Sequence, residues 1–255
     1  MVCMRYSVVT FVFGDYELLR EPLETSSDCE YIAVTDNHNL TSKTWRIKYL
    51  PDCMNEADSI TKTMYVRYHP FEFATSNTCV VIDGSILLKK SLDFVVSKFN
   101  QSGANCALML HWLHNNARKE YYEWVEQRSY STQQCMKCQA FMDAVGYTTD
   151  IKGAFEAGFK IQRNDVINNR LNTVVYKSLE FIGGGALHVE RLDQGILTAI
   201  AHTKFPTLKV FPVTHQIIQS QYMQYFQHKT NNPITVRVRP DCSYMFNKKV
   251  DVFVP

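Results

Sequence analysis

Apolar runs broken by Asp, Asn, Gly and Pro divide the chain into strand-like and helix-like stretches that alternate from one end to the other. The strongest run is Cys79-Val80-Val81-Ile82, which leads into Asp83-Gly84-Ser85 and is followed by Ile86-Leu87-Leu88. An unbroken apolar run of this kind predicts a strand buried on both faces. Similar runs predict strands at 6–13, 31–37, 106–110 and 208–212, the alternation over 44–50 predicts another, and 159–162 is strand-like. Between them the spacing predicts helices over 59–69 (capped by Ser59, stopped by Pro70), from Ser91 through Phe99, and over 115–127, 132–145, 168–181 and 192–201. The tail from Asn231 alternates through Ile234, Val236 and Val238, which predicts a C-terminal strand or arm over 231–255. Strands alternating with helices predict an α/β fold with a mixed central sheet. Without a repeat or an evident linker, residues 1–255 read as one domain.

Composition narrows the choice of function. Apolar content of 45% and charged content of 20% are those of a globular domain with a proper core. A net charge of +2 gives no reason to expect nucleic acid as a partner. No window has the length of apolar sequence that crosses a membrane, and the opening residues do not read as a secretory signal. The expected location is the cytoplasm, free or peripheral at a membrane surface. Of the eight cysteines only Cys135 and Cys138 have ligand spacing, with no second pair to complete a zinc site. Cys79 and Cys106 lie in strand-like runs and read as inert core thiols.

The chemistry suggested by the residues clusters where strands end. Open α/β sheets bind ligands outside the carboxyl ends of their strands. There Asp83, followed by Gly84 for close approach and Ser85 for a second oxygen, could hold a divalent cation and the phosphates bound to it. A plain Asp-Gly turn is the alternative reading. Gly14-Asp15-Tyr16, after the first strand, is a place for a phosphate or base to meet backbone amides. Asp193 falls in the first turn of a helix, whose dipole favours an ionised acid.

An ordered set of short words resembles a known family. They are Phe13-Gly14-Asp15-Tyr16 with Leu19-Arg20-Glu21-Pro22, then Asp28 through Asn37, then Ser42 and Trp45. Arg67-Tyr68-His69-Pro70, Ile82-Asp83-Gly84-Ser85-Ile86, His111, Arg118, Tyr122 and Glu123 follow. Gln162-Arg163-Asn164, Arg191, Asp193, Gln194, Phe211 through Thr214 and His228-Lys229 complete the set. Together they resemble the glycosyltransferase-like family of plant mucilage-related and bacterial capsular-polysaccharide proteins, over roughly residues 6–230. Leu192-Asp193-Gln194-Gly195-Ile196-Leu197 is also similar to the Asp-Gln-Gly-Leu-Leu segment of glycogenin-like retaining transferases. Two departures stand out: Leu192 separates Arg191 from Asp193, and Asp83-Gly84-Ser85 replaces a full Asp-x-Asp, leaving one carboxylate where two are usual.

The resemblance implies a GT-A-like, Rossmann-like fold and transfer of a sugar from a nucleotide-sugar donor, UDP-linked by preference, in polysaccharide biosynthesis. The acceptor would be a glycan or glycoconjugate, with retention slightly favoured. It implies a manganese or magnesium ion held by Asp83, Ser85 and His228, with His215 as a competing ligand. Phe13, Gly14, Tyr16 and Asp36 would form the nucleotide pocket, and Arg20, Arg67, Asp83, Gly84, Ser85 and Lys229 would face the diphosphate. Asp193, Gln194 and Arg191 would work at the anomeric carbon, and His111, Arg118 and Glu123 would line the acceptor side. A hydrolase on the same fold and a non-catalytic nucleotide-sugar or glycan-binding scaffold are the alternatives.

Overall fold

The computed structural model describes residues 5–14, 17–111, 114–119, 132–183, 192–214, 218, 221–227 and 230–234. Strands β1 (Tyr6–Val12), β2 (Cys29–Thr35), β3 (Arg46–Tyr49), β4 (Thr78–Ile82), β6 (Cys106–Leu110), β7 (Phe155–Arg163) and β8 (Val210–Val213) form a seven-stranded sheet in the order β3-β2-β1-β4-β7-β6-β8. β1, β2, β3 and β4 run parallel to their neighbours, as do β6 and β8, while β7 lies antiparallel between β4 and β6. All the strands except β7 therefore share one carboxyl edge.

Alternation along the strands sends successive side chains to opposite layers. Val80 and Ile82 join Val95, Val96 and Phe99 of helix α2 (Asp93–Ser102) on one face. Cys79 and Val81 pack with Val66 of helix α1 (Ser59–Tyr68) on the other. Across β6, Ala107 and Met109 take the first face. Cys106, Leu108 and Leu110 take the second, against helices α3 (Thr132–Val145), α4 (Val166–Gly183) and α5 (Leu192–Thr203). The fold is thus a mixed α/β architecture: a central sheet with helices on both faces. In α4 the buried set Leu171, Val175, Leu179 and Ile182 has helical spacing, and buried Asn168 and Asn172 interrupt it with polar groups.

Several elements differ from their sequence readings for physical reasons. Asp58, not Ser59, caps α1: its extended backbone lets its carboxylate accept from the Thr61 amide at 2.8 Å. The second helix starts at Asp93, and Ser91 sits two residues before it, accepting from the Asp93 amide at 3.2 Å. β7 extends well beyond the expected 159–162, because a register shift opposite Leu108 and Met109 disguises its alternation. A second sheet of three short strands was expected only in part, since its last strand alone falls in a stretch read as a strand, the C-terminal arm. It pairs the short strands β5 (Ile86–Leu88), β9 (Met223–Phe226) and β10 (Pro233–Ile234). The rest of the expected arm, most of the expected helix over 115–127, and the residues at 184–191 lie outside the described residues. Among the described residues no helix is long and apolar enough to cross a membrane. Cys79 and Cys106 are buried free thiols, as expected of core cysteines.

Candidate functional site

Three elements remote in sequence bring charge to the carboxyl edge. Arg67 comes from the last turn of α1, Asp83 follows β4, and Asp193 lies in the first turn of α5. One guanidinium joins all three: Nη2 of Arg67 donates to Oδ1 of Asp83, and Nη1 donates to Oδ2 of Asp193. Helix ends favour this arrangement, since a cation suits the carboxyl end of α1 and an anion the amino end of α5. The two acids differ in access: the Asp193 side chain is 1% exposed and that of Asp83 is 29%. Asp83 is therefore open to solvent, and Asp193 backs Arg67 from within.

Burial on its own would lower the affinity of Arg67 for its proton, but the flanking carboxylates of Asp83 and Asp193 outweigh it and push the guanidinium above its ordinary value. The Phe11 ring lies 5.5 Å from the guanidinium carbon. Tyr68, next in the chain, is fully enclosed. Burial first, and then the charge of Asp193, hold its phenol well above the usual range.

Backbone geometry fixes Asp83. Its amide donates to the Gly158 carbonyl at 3.0 Å. Gly158 lies in the stretch of β7 where the pairing with β6 shifts, and a Cβ there would lie 2.9 Å from Asp83 Oδ2. A bulge beside a site re-aims side chains, and here the missing side chain leaves room for the acid. Gly84 is equally constrained, because a Cβ would approach the Phe11 carbonyl oxygen to 2.6 Å. Ser85 is buried, and its carbonyl accepts from the Phe226 amide at 2.9 Å, which ties the loop to β9.

A second cluster forms beyond β1 and β2. Asp36 accepts from the Gly14 amide at 3.0 Å and from Lys62 Nζ at 2.9 Å. These bonds outweigh partial burial and hold its carboxyl below the usual range. Gly14 has φ of 55°, a left-handed turn that presents its amide to Asp36. Phe13 is buried beside Phe11, with ring centroids 6.5 Å apart.

Arg20 is a brace between loops. It donates to the carbonyls of Leu18, Gly84 and Thr230 at 2.9, 3.1 and 2.7 Å, and its guanidinium carbon lies 4.4 Å from the Phe226 ring centre. The neighbouring Glu21 accepts from Ser42 Oγ at 2.7 Å and from the amides of Lys43 and Thr44. Trp45 Nε1 returns a bond to the Arg20 carbonyl at 2.9 Å. Arg20-Glu21 and Ser42 with Trp45, separate words in the sequence, are one structural unit.

The remaining expected residues are dispersed. His111 follows β6 at the same edge, buried, with Nδ1 accepting from the His114 amide at 3.0 Å. Arg118 points to α3, donating to Gln139 Oε1, Asp143 Oδ1 and the Tyr147 carbonyl. Gln194 is half-buried, and its carbonyl accepts from Thr198 Oγ1. Tyr16, Glu123, Arg191, His215, His228 and Lys229 lie outside the described residues. Lys62, Tyr68 and Gly158 were not singled out as site residues. An isolated glycine inside a strand-like run was the available signal for Gly158, and Tyr68 stood in the word Arg67-Tyr68-His69-Pro70, whereas Lys62 carried none.

The expected metal can be tested against these donors. Among the described residues no group of three His, Cys, Asp or Glu side chains converges. Asp83 offers one carboxylate, with an oxygen already committed to Arg67. The described residues do not by themselves fit a divalent cation, so no step is derived through one.

Fold and site together define an α/β protein with an acid–guanidinium–acid centre at the carboxyl edge of its parallel strands. No family model matches the chain, and no curated protein matches it in sequence. Among solved structures it is similar to mouse xyloside xylosyltransferase 1 in its apo form. The TM-score is 0.42 at 10% identity, covering 82% of this chain and 84% of that one.

Proposed function

We propose that the protein is a glycosyltransferase that moves a sugar from a nucleotide-diphosphate donor, UDP-linked by preference, to a glycan or glycoconjugate acceptor. The observation that carries the reading is the meeting of Asp83 and Asp193 on one guanidinium, at the edge where Gly14 and Asp36 also lie. These residues come from chain positions more than a hundred apart. In this reading the base and ribose lie against Gly14 and Asp36, and the diphosphate and sugar lie over Asp83, Gly84 and Ser85. The acceptor enters from the side of His111.

In the reaction a bond forms between an acceptor oxygen and the anomeric carbon, and the bond from that carbon to the diphosphate oxygen breaks. The acceptor proton leaves with the diphosphate or to a base. Negative charge grows on the leaving group and positive charge on the sugar ring. Asp83, the acid that faces the cleft, would stabilise the ring's positive charge, and Arg67 would keep that acid ionised and aimed. Asp193 would act through Arg67. Lys229 and Arg191 remain candidates for the diphosphate and the sugar. His228 remains a candidate for a metal, which would supply Lewis-acid neutralisation of the diphosphate.

The test is incubation with a panel of UDP-, GDP- and CMP-sugars and mixed glycan acceptors, with release of nucleotide read out. Acceptor-dependent release that D83N abolishes is expected. Release indifferent to acceptor points to a hydrolase instead. Nucleotide binding without turnover fits a scaffold, a reading favoured by the Arg67 bond that already occupies Asp83.

A further inference from the structure

Behind the Arg67 centre lies a buried amine that the proposed reaction does not use. Lys160 is in β7, 3% exposed, with Nζ 4.5 Å from the centre of the Tyr68 ring. Nζ donates to Asn172 Oδ1 at 3.2 Å, and Asn172 Nδ2 donates in turn to Gln162 Oε1 at 3.1 Å. The charged and titratable groups facing it come from every element around it. They are Arg67 and Tyr68 from α1, Asp193 from α5, Cys79 from β4 and Cys106 from β6. Asn172 of α4 is the neutral partner.

Charge counting shows what the amine does. Arg67 balances one of the two carboxylates it holds, which leaves one negative charge. A protonated Lys160 cancels that charge, and a neutral Lys160 leaves it. We infer that Lys160 is a positioning residue of the Arg67 centre, whose protonation sets the net charge the centre presents and therefore how strongly the cleft takes an anionic diphosphate. Burial, and next the repulsion of Arg67, push the amine down to about 7. Proton loss therefore falls near neutrality, where an exposed lysine stays fully charged. The ring face of Tyr68 and the nearby carboxylate of Asp193 favour the charged form.

This inference rests on the nucleotide-donor reading, and its test separates the two. UDP binding is measured by calorimetry at pH 6.0 and 8.5 for the wild type, K160M and K160Q. The ratio of variant to wild type is compared at each pH, because the terminal phosphate of UDP itself titrates near neutrality. Expected is a roughly three- to tenfold weaker affinity of both variants at pH 6.0 that vanishes at pH 8.5. Equal affinity at pH 6.0, or a deficit of the same size at both values, overturns the inference. If the wild type binds no UDP at either pH, the donor reading falls, and thermal unfolding decides Lys160. The melting temperature of the wild type should then gain on those of K160M and K160Q between pH 7 and 9. A constant gap across that range overturns the role given to Lys160.

Discussion

Arg67 can hold Asp83 and Asp193 together because a guanidinium is a planar fork with several fixed donors, which a lysine ammonium is not. Removing it would leave two carboxylates facing each other, one of them wholly buried, and an uncompensated buried charge costs about 3–5 kcal/mol. R67M is therefore expected to lose about that much stability in urea denaturation, and R67K to recover only part of it. A loss under about 1 kcal/mol for R67M would show that the bridge is incidental. Gly158 makes a complementary demand. A methyl group 2.9 Å from Asp83 Oδ2 forces the acid or the bulge to shift. G158A should cost about 1–3 kcal/mol, as overpacking does, and should weaken UDP binding in step with D83N. A G158A protein that melts like the wild type would mean that the bulge yields freely.

Among the elements, α1 does most to assemble the site: it carries Lys62 to Asp36 and Arg67 to both acids, from within two turns of one helix. Its start depends on Asp58, which also accepts from Thr61 Oγ1 at 3.2 Å. D58A should cost about 1 kcal/mol, the usual worth of an N-cap, and blur the Lys62–Asp36 contact. Circular dichroism melts of D58A and D58S check this, with D58S expected near the wild type. This level also shows how far the chain could be read from sequence alone. Strands such as β1, β4 and β6 were legible because burial on both faces leaves few polar positions, Ser7, Thr10 and Thr78 among them, to confuse the pattern. Asp83, Asp36 and Asp193 were legible as residues at element ends. That Asp83 and Asp193 share one arginine was not, because such a contact depends on three elements remote in sequence. β5 and β9 escaped because both are short and their pairing joins segments more than a hundred residues apart. The α1 cap was misplaced by one residue because Asp58 and Ser59 are both good capping types, and only backbone geometry decides between them.

At the scale of the whole molecule, the ionisable groups set a stability profile whose two limbs have opposite causes. Glu21, Glu30 and Asp36 are held below their ordinary values; in each case hydrogen bonds outweigh partial burial, joined by the charge of Arg46 at Glu30 and of Lys62 at Asp36. For acids shifted down, the stabilisation is complete above the unfolded pKa and is lost as pH falls through the folded one. The acid limb therefore falls away below the ordinary carboxylate range. Lys160 is shifted down from the lysine value, so the unfolded chain binds more protons than the folded one between about 7 and 10.5. Stability from this group grows as pH rises across that window. The buried thiols act oppositely: burial pushes Cys29 and Cys106 up to about 12, so folding keeps them protonated. Their stabilisation is complete below about 9 and is lost as pH rises beyond it. Added together, the rise from Lys160 and the fall from the thiols place the expected maximum on the alkaline side of neutrality, between about 7 and 9. Melting temperatures taken every half unit from pH 4 to 10 should show that maximum. E21Q should flatten the acid limb, because its amide cannot take the place of the carboxylate that accepts from Ser42, Lys43 and Thr44. K160M should remove the climb above neutrality and leave the acid limb as it was. A maximum that stays at the same pH in K160M would mean that the buried amine keeps its proton in the folded protein as it does in the unfolded chain, and the alkaline limb would then belong to the thiols and phenols alone.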